Sequence, residues 1–125
     1  MKAFGVLFTF VLAFAGCNGQ SDQVKTLSQK DLASKVQQEN VVLIDVRTPA
    51  EIASGYIPEA DLFIDIKDSD FEQKISELDT SKTYVMYCRS GARSGRAANL
   101  MVEKGFVNVY NLQGGILAYT GQLKQ

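Results

Sequence analysis

Residues 84–96, Tyr84-Val85-Met86-Tyr87-Cys88-Arg89-Ser90-Gly91-Ala92-Arg93-Ser94-Gly95-Arg96, decide how this chain is read. Thr83 to Tyr87 is a short apolar, β-favouring run and predicts a buried strand. Cys88 stands at its end. Arg89, Ser90, Gly91, Ala92 and Arg93 follow as a tight loop. Ser94 then opens a helix predicted over 95–104, with Ala97, Ala98, Leu100, Met101 and Val102 on its apolar side. The layout is strand, loop and helix N-terminus, with a thiol at the first loop position.

That layout has chemical consequences. A free thiol has a pKa of roughly 8.5 and is mostly protonated at neutral pH. A helix N-terminus directs unpaired N–H groups at whatever lies in front of it and favours negative charge there. Arg89 and Arg93 add two permanent cations. Gly91 allows φ > 0, so that successive N–H groups can converge on one point. A thiolate at Cys88, or an anionic adduct on it, is therefore stabilised. A purely structural cysteine at a strand end would leave the two arginines and the glycine without a role.

The run Cys88-Arg89-Ser90-Gly91-Ala92-Arg93-Ser94 resembles the active-site loop of rhodanese (thiosulfate sulfurtransferase) domains. In that family the loop cysteine accepts a sulfane sulfur and holds it as a persulfide. The same fold hosts dual-specificity phosphatases and arsenate reductases, whose loop is one residue longer, with an arginine six positions after the cysteine. Here the sixth position is Ser94 and the arginine is at the fifth, so loop length favours sulfur over phosphate.

Composition sets the outer bounds. A chain of 125 residues with 46% hydrophobic and 22% charged residues predicts one ordinary globular domain. A net charge of −1 gives no bulk attraction to nucleic acid or to an anionic membrane surface. The sequence has no histidine, which excludes a Cys–His pair and a histidine-containing metal site.

Residues 1–17 read as a targeting segment. Lys2 precedes an apolar run, Ala3 to Ala15, that is too short to span a bilayer, for which about 20 residues are needed. Phe14-Ala15-Gly16-Cys17 then resembles a bacterial lipoprotein signal, in which Cys17 is lipidated and becomes the mature N-terminus. Phe14 departs from the leucine usual at its position. On this reading Cys88 is the single free thiol of the mature chain. Residues 18–23 form a polar tether, 24–120 the folded domain and 121–125 a polar tail. The expected location is the bacterial cell envelope, facing the periplasm.

Through the domain, strands and helices alternate. Val24 to Leu27 predicts a first strand. Ser28 and Asp31 mark a helix start, with Leu32 and Val36 on its apolar side. Val41 to Val46 is a continuous run of the kind buried on both faces of a parallel sheet. Thr48, Pro49 and Glu51 predict an N-cap, a first-turn proline and a completed capping box. Leu62 to Ile66 is a third strand, and Asp68 to Leu78 a helix with Phe71, Ile75 and Leu78 on one face. Gly105 ends the helix after the loop, and 107–112 is the last strand. Alternation of this kind predicts an α/β sandwich with a mainly parallel sheet.

Two further stretches add to the resemblance. Asp45-Val46-Arg47, Glu51 and Gly55-Tyr56-Ile57-Pro58-Glu59-Ala60 are similar to a second rhodanese signature, with Tyr56 and Glu59 as departures. Leu112-Gln113-Gly114-Gly115-Ile116 is similar to the closing one, with Tyr119 where Trp is common. The family fold then implies a three-layer sandwich around a five-stranded sheet. Asp45, Arg47 and Glu51 are expected to hold loops rather than to touch substrate.

The function implied is sulfur transfer. A small anionic donor such as thiosulfate docks near Arg89 and Arg93, Cys88 takes the outer sulfur, and a thiol or cyanide accepts it. Ser90, Gly91, Ala92 and Ser94 complete the substrate-binding loop. No metal or organic cofactor is implied, and a monomer is expected. The alternatives are a persulfide carrier with little turnover and, less favoured by loop length, a phosphatase or arsenate reductase.

Overall fold

A computed structural model describes residues 23–125 of the chain. The elements run β1 (Lys25–Leu27), α1 (Gln29–Val36), β2 (Val41–Asp45), α2 (Pro49–Ala53), β3 (Leu62–Phe63), α3 (Phe71–Ser76), β4 (Thr83–Tyr87), α4 (Ala92–Glu103) and β5 (Asn108–Leu112), then a 3₁₀ turn at Ile116–Ala118. One five-stranded sheet has the order β1-β5-β4-β2-β3. Every ladder is parallel, so the sheet is wholly rather than mainly parallel.

The strand carrying the decisive stretch is central because both of its faces are apolar. Tyr84, Met86 and Cys88 join one core with Phe71 and Ile75 of α3 and Ala97, Ala98 and Met101 of α4. Val85 and Tyr87 alternate to the other side and pack with Leu32, Leu43, Ile57 and Leu112. A strand buried on both faces reads as a near-continuous apolar run, as β4 does from Tyr84 to Tyr87 and β2 does up to Asp45. Helices thus cover both sides, giving the expected three layers. Met101 is fully buried, and burying such a side chain contributes about 1.5–3 kcal/mol.

Several expected boundaries shift. β3 has two residues, although Ile64 N–H and Ile66 N–H still donate to Asp45 and Val46 carbonyls at 2.9 and 3.1 Å. α3 starts at Phe71, three residues late, because Asp68 and Asp70 are used in the turn before it. At α1 the Ser28 hydroxyl donates to Asp31 Oδ2 at 2.7 Å instead of capping a backbone N–H. The capping box of Thr48 and Glu51 forms as read, with Pro49 at the first helical position. Residues 121–125 are not a free tail. Tyr56 and Lys124 form an antiparallel bridge, their N–H···O bonds both 2.9 Å. Leu123 packs against Gly55, where an added Cβ would sit 3.1 Å from Leu123 Cδ1. The expected lipidation site, Cys17, lies outside the described residues, as do the targeting segment and most of the tether.

Candidate active site

β4 ends at Tyr87, and Cys88 is the first residue beyond it, at the carboxyl edge of the central strand. In open parallel sheets this is where ligand sites form. Gly91 takes φ 108°, a left-handed value that favours glycine, and serves as N-cap of α4. The chain therefore turns into the helix at Ala92, earlier than expected. Ser94 does not open the helix; it is the third residue inside it. Its place in the series Ser94, Ala97, Ala98 and Met101 puts its hydroxyl on the buried side.

The sharp turn brings donors to the sulfur. Gly91 N–H donates to Cys88 Sγ at 3.0 Å, and Ser94 Oγ lies 3.3 Å from it. Burial by itself pushes the Cys88 thiol up. The Ser94 hydroxyl and the backbone N–H groups of Ser94, Gly91 and Ser90 outweigh that, and the thiol is lowered overall. Among the described residues Cys88 is the one free cysteine. It is only 1% exposed, so the thiol sits behind the loop rather than partly open to solvent, while Arg89 and Ser90 are exposed.

The two arginines are not equivalent. Arg93 reaches away from the loop to α2 and forms a two-pronged pair with Glu51, Nη1 to Oε1 at 2.7 Å and Nη2 to Oε2 at 2.8 Å. The Arg93 hydrogen bonds, opposed by burial and helped by Thr48, lower the Glu51 carboxyl to about 2. The pair with Glu51 raises Arg93 in turn, with smaller contributions from Cys88 and Asp65. Arg93 is thus a paired charge. Arg89 is held by its backbone: its carbonyl accepts from Leu117 N–H at 3.1 Å, next to the Ile116 N–H to Cys88 carbonyl bond of 2.9 Å. The Gly114-Gly115 turn makes this possible, since a Cβ on Gly115 would lie 2.5 Å from the Arg89 carbonyl oxygen.

Asp45 and Arg47 form a buried pair on the face of β2 opposite that of Ile44 and Val46. Arg47 Nε and Nη2 donate to Asp45 at 2.8–3.1 Å, and Nη2 also donates to the Gly55 carbonyl at 2.8 Å. The Tyr87 phenol oxygen accepts from Ile57 N–H at 3.1 Å. Burial, reinforced by Asp45, pushes that phenol well up, so it stays protonated. This unit ties the 55–57 turn to the sheet, and among the described residues none of its side chains hydrogen-bonds to the Cys88 sulfur. Glu51 touches both groups: its carbonyl accepts from Arg47 Nη1 at 3.4 Å, while its carboxylate pairs with Arg93 of α4.

Sequence reasoning passed over Asn111. Its Nδ2 donates to the Gly91 carbonyl at 3.0 Å, and its Oδ1 accepts from Ser94 Oγ at 2.6 Å. A signal was available: Asn111 follows Val109 by two, so it occupies a strand position on the α4 side where the pattern calls for an apolar residue. Gly95, inside α4, has the matching signal. A Cβ there would come within 3.3 Å of Asn111 Nδ2.

The family model for the rhodanese-like domain matches residues 28–122. YtwF of Bacillus subtilis (strain 168), whose name assigns it provisionally to the sulfurtransferases, is 39% identical over 103 residues, covering 82% of this chain and 96% of that protein. A protein of Allochromatium vinosum named a sulfurtransferase is 43% identical over 81 residues, covering 65% and 73%. A tRNA uridine(34) hydroxylase of Chlamydia felis is 34% identical over 115 residues; the match covers 86% of this chain but 35% of that longer protein. Among solved structures, a rhodanese-like domain protein from Staphylococcus aureus superposes with a TM-score of 0.69 at 27% identity, covering 81% of this chain and 97% of the other.

Proposed function

Because this chain belongs to the rhodanese-like domain family, we propose that it is a sulfurtransferase working through a Cys88 persulfide. The observation that carries the reading is the Cys88 sulfur held at the focus of the Gly91 N–H and the Ser94 hydroxyl. These groups supply the two things a sulfur nucleophile needs, a lowered thiol pKa and a cradle for an anionic adduct.

Each half-reaction moves one sulfur atom. The Cys88 thiolate attacks the outer sulfur of thiosulfate, a new S–S bond forms, and the old S–S bond breaks with its electron pair leaving on sulfite. The charge of the thiolate passes to the terminal sulfur of the persulfide, where loop N–H groups and the Ser94 hydroxyl face it. A thiolate or cyanide then attacks that terminal sulfur and releases Cys88 as thiolate. A single covalent intermediate predicts ping-pong kinetics. Arg89, exposed at the loop, would supply the cation that meets an anionic donor. Arg93 acts indirectly, by fixing the first turn of α4 against α2. A lipid on Cys17 would hold the domain at a membrane of the cell envelope.

Intact mass before and after thiosulfate tests the reading. Gain of one sulfur atom, lost on adding cyanide and absent in Cys88→Ser, is the expected result. Loading by a persulfide without thiosulfate turnover would make the protein a carrier. Hydrolysis of aryl phosphates faster than sulfur transfer would overturn the assignment.

A further inference from the structure

The Ser94 hydroxyl lies within hydrogen-bond reach of two groups at once, Asn111 Oδ1 at 2.6 Å and Cys88 Sγ at 3.3 Å. A hydroxyl has one hydrogen to donate. The orientation of the Asn111 amide is fixed independently, because the Gly91 carbonyl can only accept and therefore faces Nδ2. That leaves Oδ1, an acceptor, toward Ser94, so Ser94 donates to Asn111 and presents a lone pair to Cys88. The 2.6 Å O···O bond is short, as for a hydrogen fully committed to Oδ1, and 3.3 Å is within ordinary reach for an S–H donating to Ser94 Oγ. The arrangement is packed in place, since Gly95 leaves room for the amide, and Ser94 is fully buried.

We propose that Asn111 is a positioning residue that tunes the nucleophile by competing with Cys88 for the Ser94 hydrogen. With Cys88 as thiol, S–H donates to Ser94 Oγ and Ser94 O–H donates to Asn111 Oδ1. When Cys88 ionises, its proton leaves to water. The Ser94 hydrogen stays on Oγ and swings to the sulfur, and Asn111 Oδ1 gives up its partner. The thiol state thus holds one bond that the thiolate state must surrender. This keeps Cys88 from being a permanent thiolate while leaving a donor ready for the charge when it forms. The charged groups of the site are Arg89, exposed in the loop next to Cys88, and Arg93 on α4, on which Cys88, its partner Glu51 of α2 and Asp65 beyond β3 all act. They are unchanged in every variant below.

The inference takes Cys88 as the nucleophile of the preceding reading, but its test needs no sulfur transfer. The Cys88 pKa is read from pH-dependent alkylation of the full chain, with Cys17 replaced by Ser, in a double-mutant cycle. Asn111→Leu removes the competing acceptor and also the anchor to Gly91. The anchor effect is common to Ser94 and Ser94→Ala backgrounds and cancels between them. The relay predicts that Asn111→Leu places the pKa about one unit lower, tenfold in ionisation, with Ser94 present than the same change does in Ser94→Ala. Asn111→Asp keeps the size and draws the hydroxyl harder, so its coupling to Ser94 has the opposite sign. This second variant keeps the test open if Asn111→Leu folds poorly. Equal shifts in both backgrounds, for either folded variant, would overturn the proposal. A chain that shows the coupling yet takes up no sulfur would leave the relay standing and remove the sulfurtransferase reading.

Discussion

Glu51→Gln isolates the ion pair that anchors the active-site helix. Glu51 receives both terminal nitrogens of Arg93 and closes the capping box with Thr48. Gln keeps the size and much of the capping reach, since Glu and Gln both serve in that box; what it loses is the charge. The folded carboxyl sits at about 2 against an ordinary 4.5. At 1.36 kcal/mol per pKa unit this sets a ceiling of roughly 3.4 kcal/mol. The Glu51 and Arg93 side chains are 28% and 16% exposed, and solvent screening reduces the contribution to about 1–2 kcal/mol. The sign follows from linkage. The unfolded chain takes up the proton near pH 4.5 and the folded chain only near pH 2. The pair therefore stabilises fully above about pH 5 and is lost as pH falls from there toward 2. Urea titrations followed by far-UV circular dichroism should find Glu51→Gln less stable by about 1–2 kcal/mol at pH 7. The gap should narrow at pH 4 and fall to about a quarter of its pH 7 size at pH 2.5. A gap of constant size across that range, or none at pH 7, would refute the role given to the pair.

Arg89→Ala should slow transfer from thiosulfate by roughly tenfold to a hundredfold, the effect of losing a charged donor of about 1–3 kcal/mol near a developing anion; an unchanged rate in a steady-state cyanide assay would remove Arg89 from the site. Asp45→Ala strands Arg47 in the core without its partner and should cost about 3–5 kcal/mol by urea denaturation, whereas a loss below 1 kcal/mol would mean that the guanidinium finds water. Cys17→Ser should shift the protein from the membrane to the soluble fraction of a bacterial host, or leave it unprocessed; a cleaved chain that still sediments with membranes would rule out a lipid anchor.

Apolar periodicity carried much of the fold into view. Val41 to Asp45 and Thr83 to Tyr87 are legible because a strand buried on both faces leaves few positions for polar residues. Thr48, Pro49 and Glu51 are legible because a capping box is a local arrangement, settled by three residues close in sequence. The errors have the opposite origin. Ser94 resembles a helix start by residue type, yet Gly91 can adopt φ 108° and starts the helix sooner. The partnership of Arg93 with Glu51 spans 42 positions, and nothing local to either residue announces it. Lys124 looks like part of a polar tail because a single β-bridge leaves no periodic trace. Asn111 was visible only as an interruption of the apolar face of the last strand, a clue that acquires meaning once α4 is seen to cover that face.

The Arg93 pair also bears on the choice between sulfur and phosphate. A tetrahedral oxyanion is bound most effectively when a guanidinium fork faces it opposite the nucleophile. In this loop the arginine comes at the fifth position after Cys88, and its fork is spent on Glu51. The sixth position, where the longer loops carry their arginine, holds Ser94, turned inward to the sulfur and to Asn111. The polar groups directed at the Cys88 sulfur are therefore the Gly91 N–H and one hydroxyl, with Ser90 and Ser94 N–H beside them. Such a set suits the single terminal charge of a persulfide. It would leave the spread charge of a phosphoryl group without the planar, bidentate partner that such a group requires.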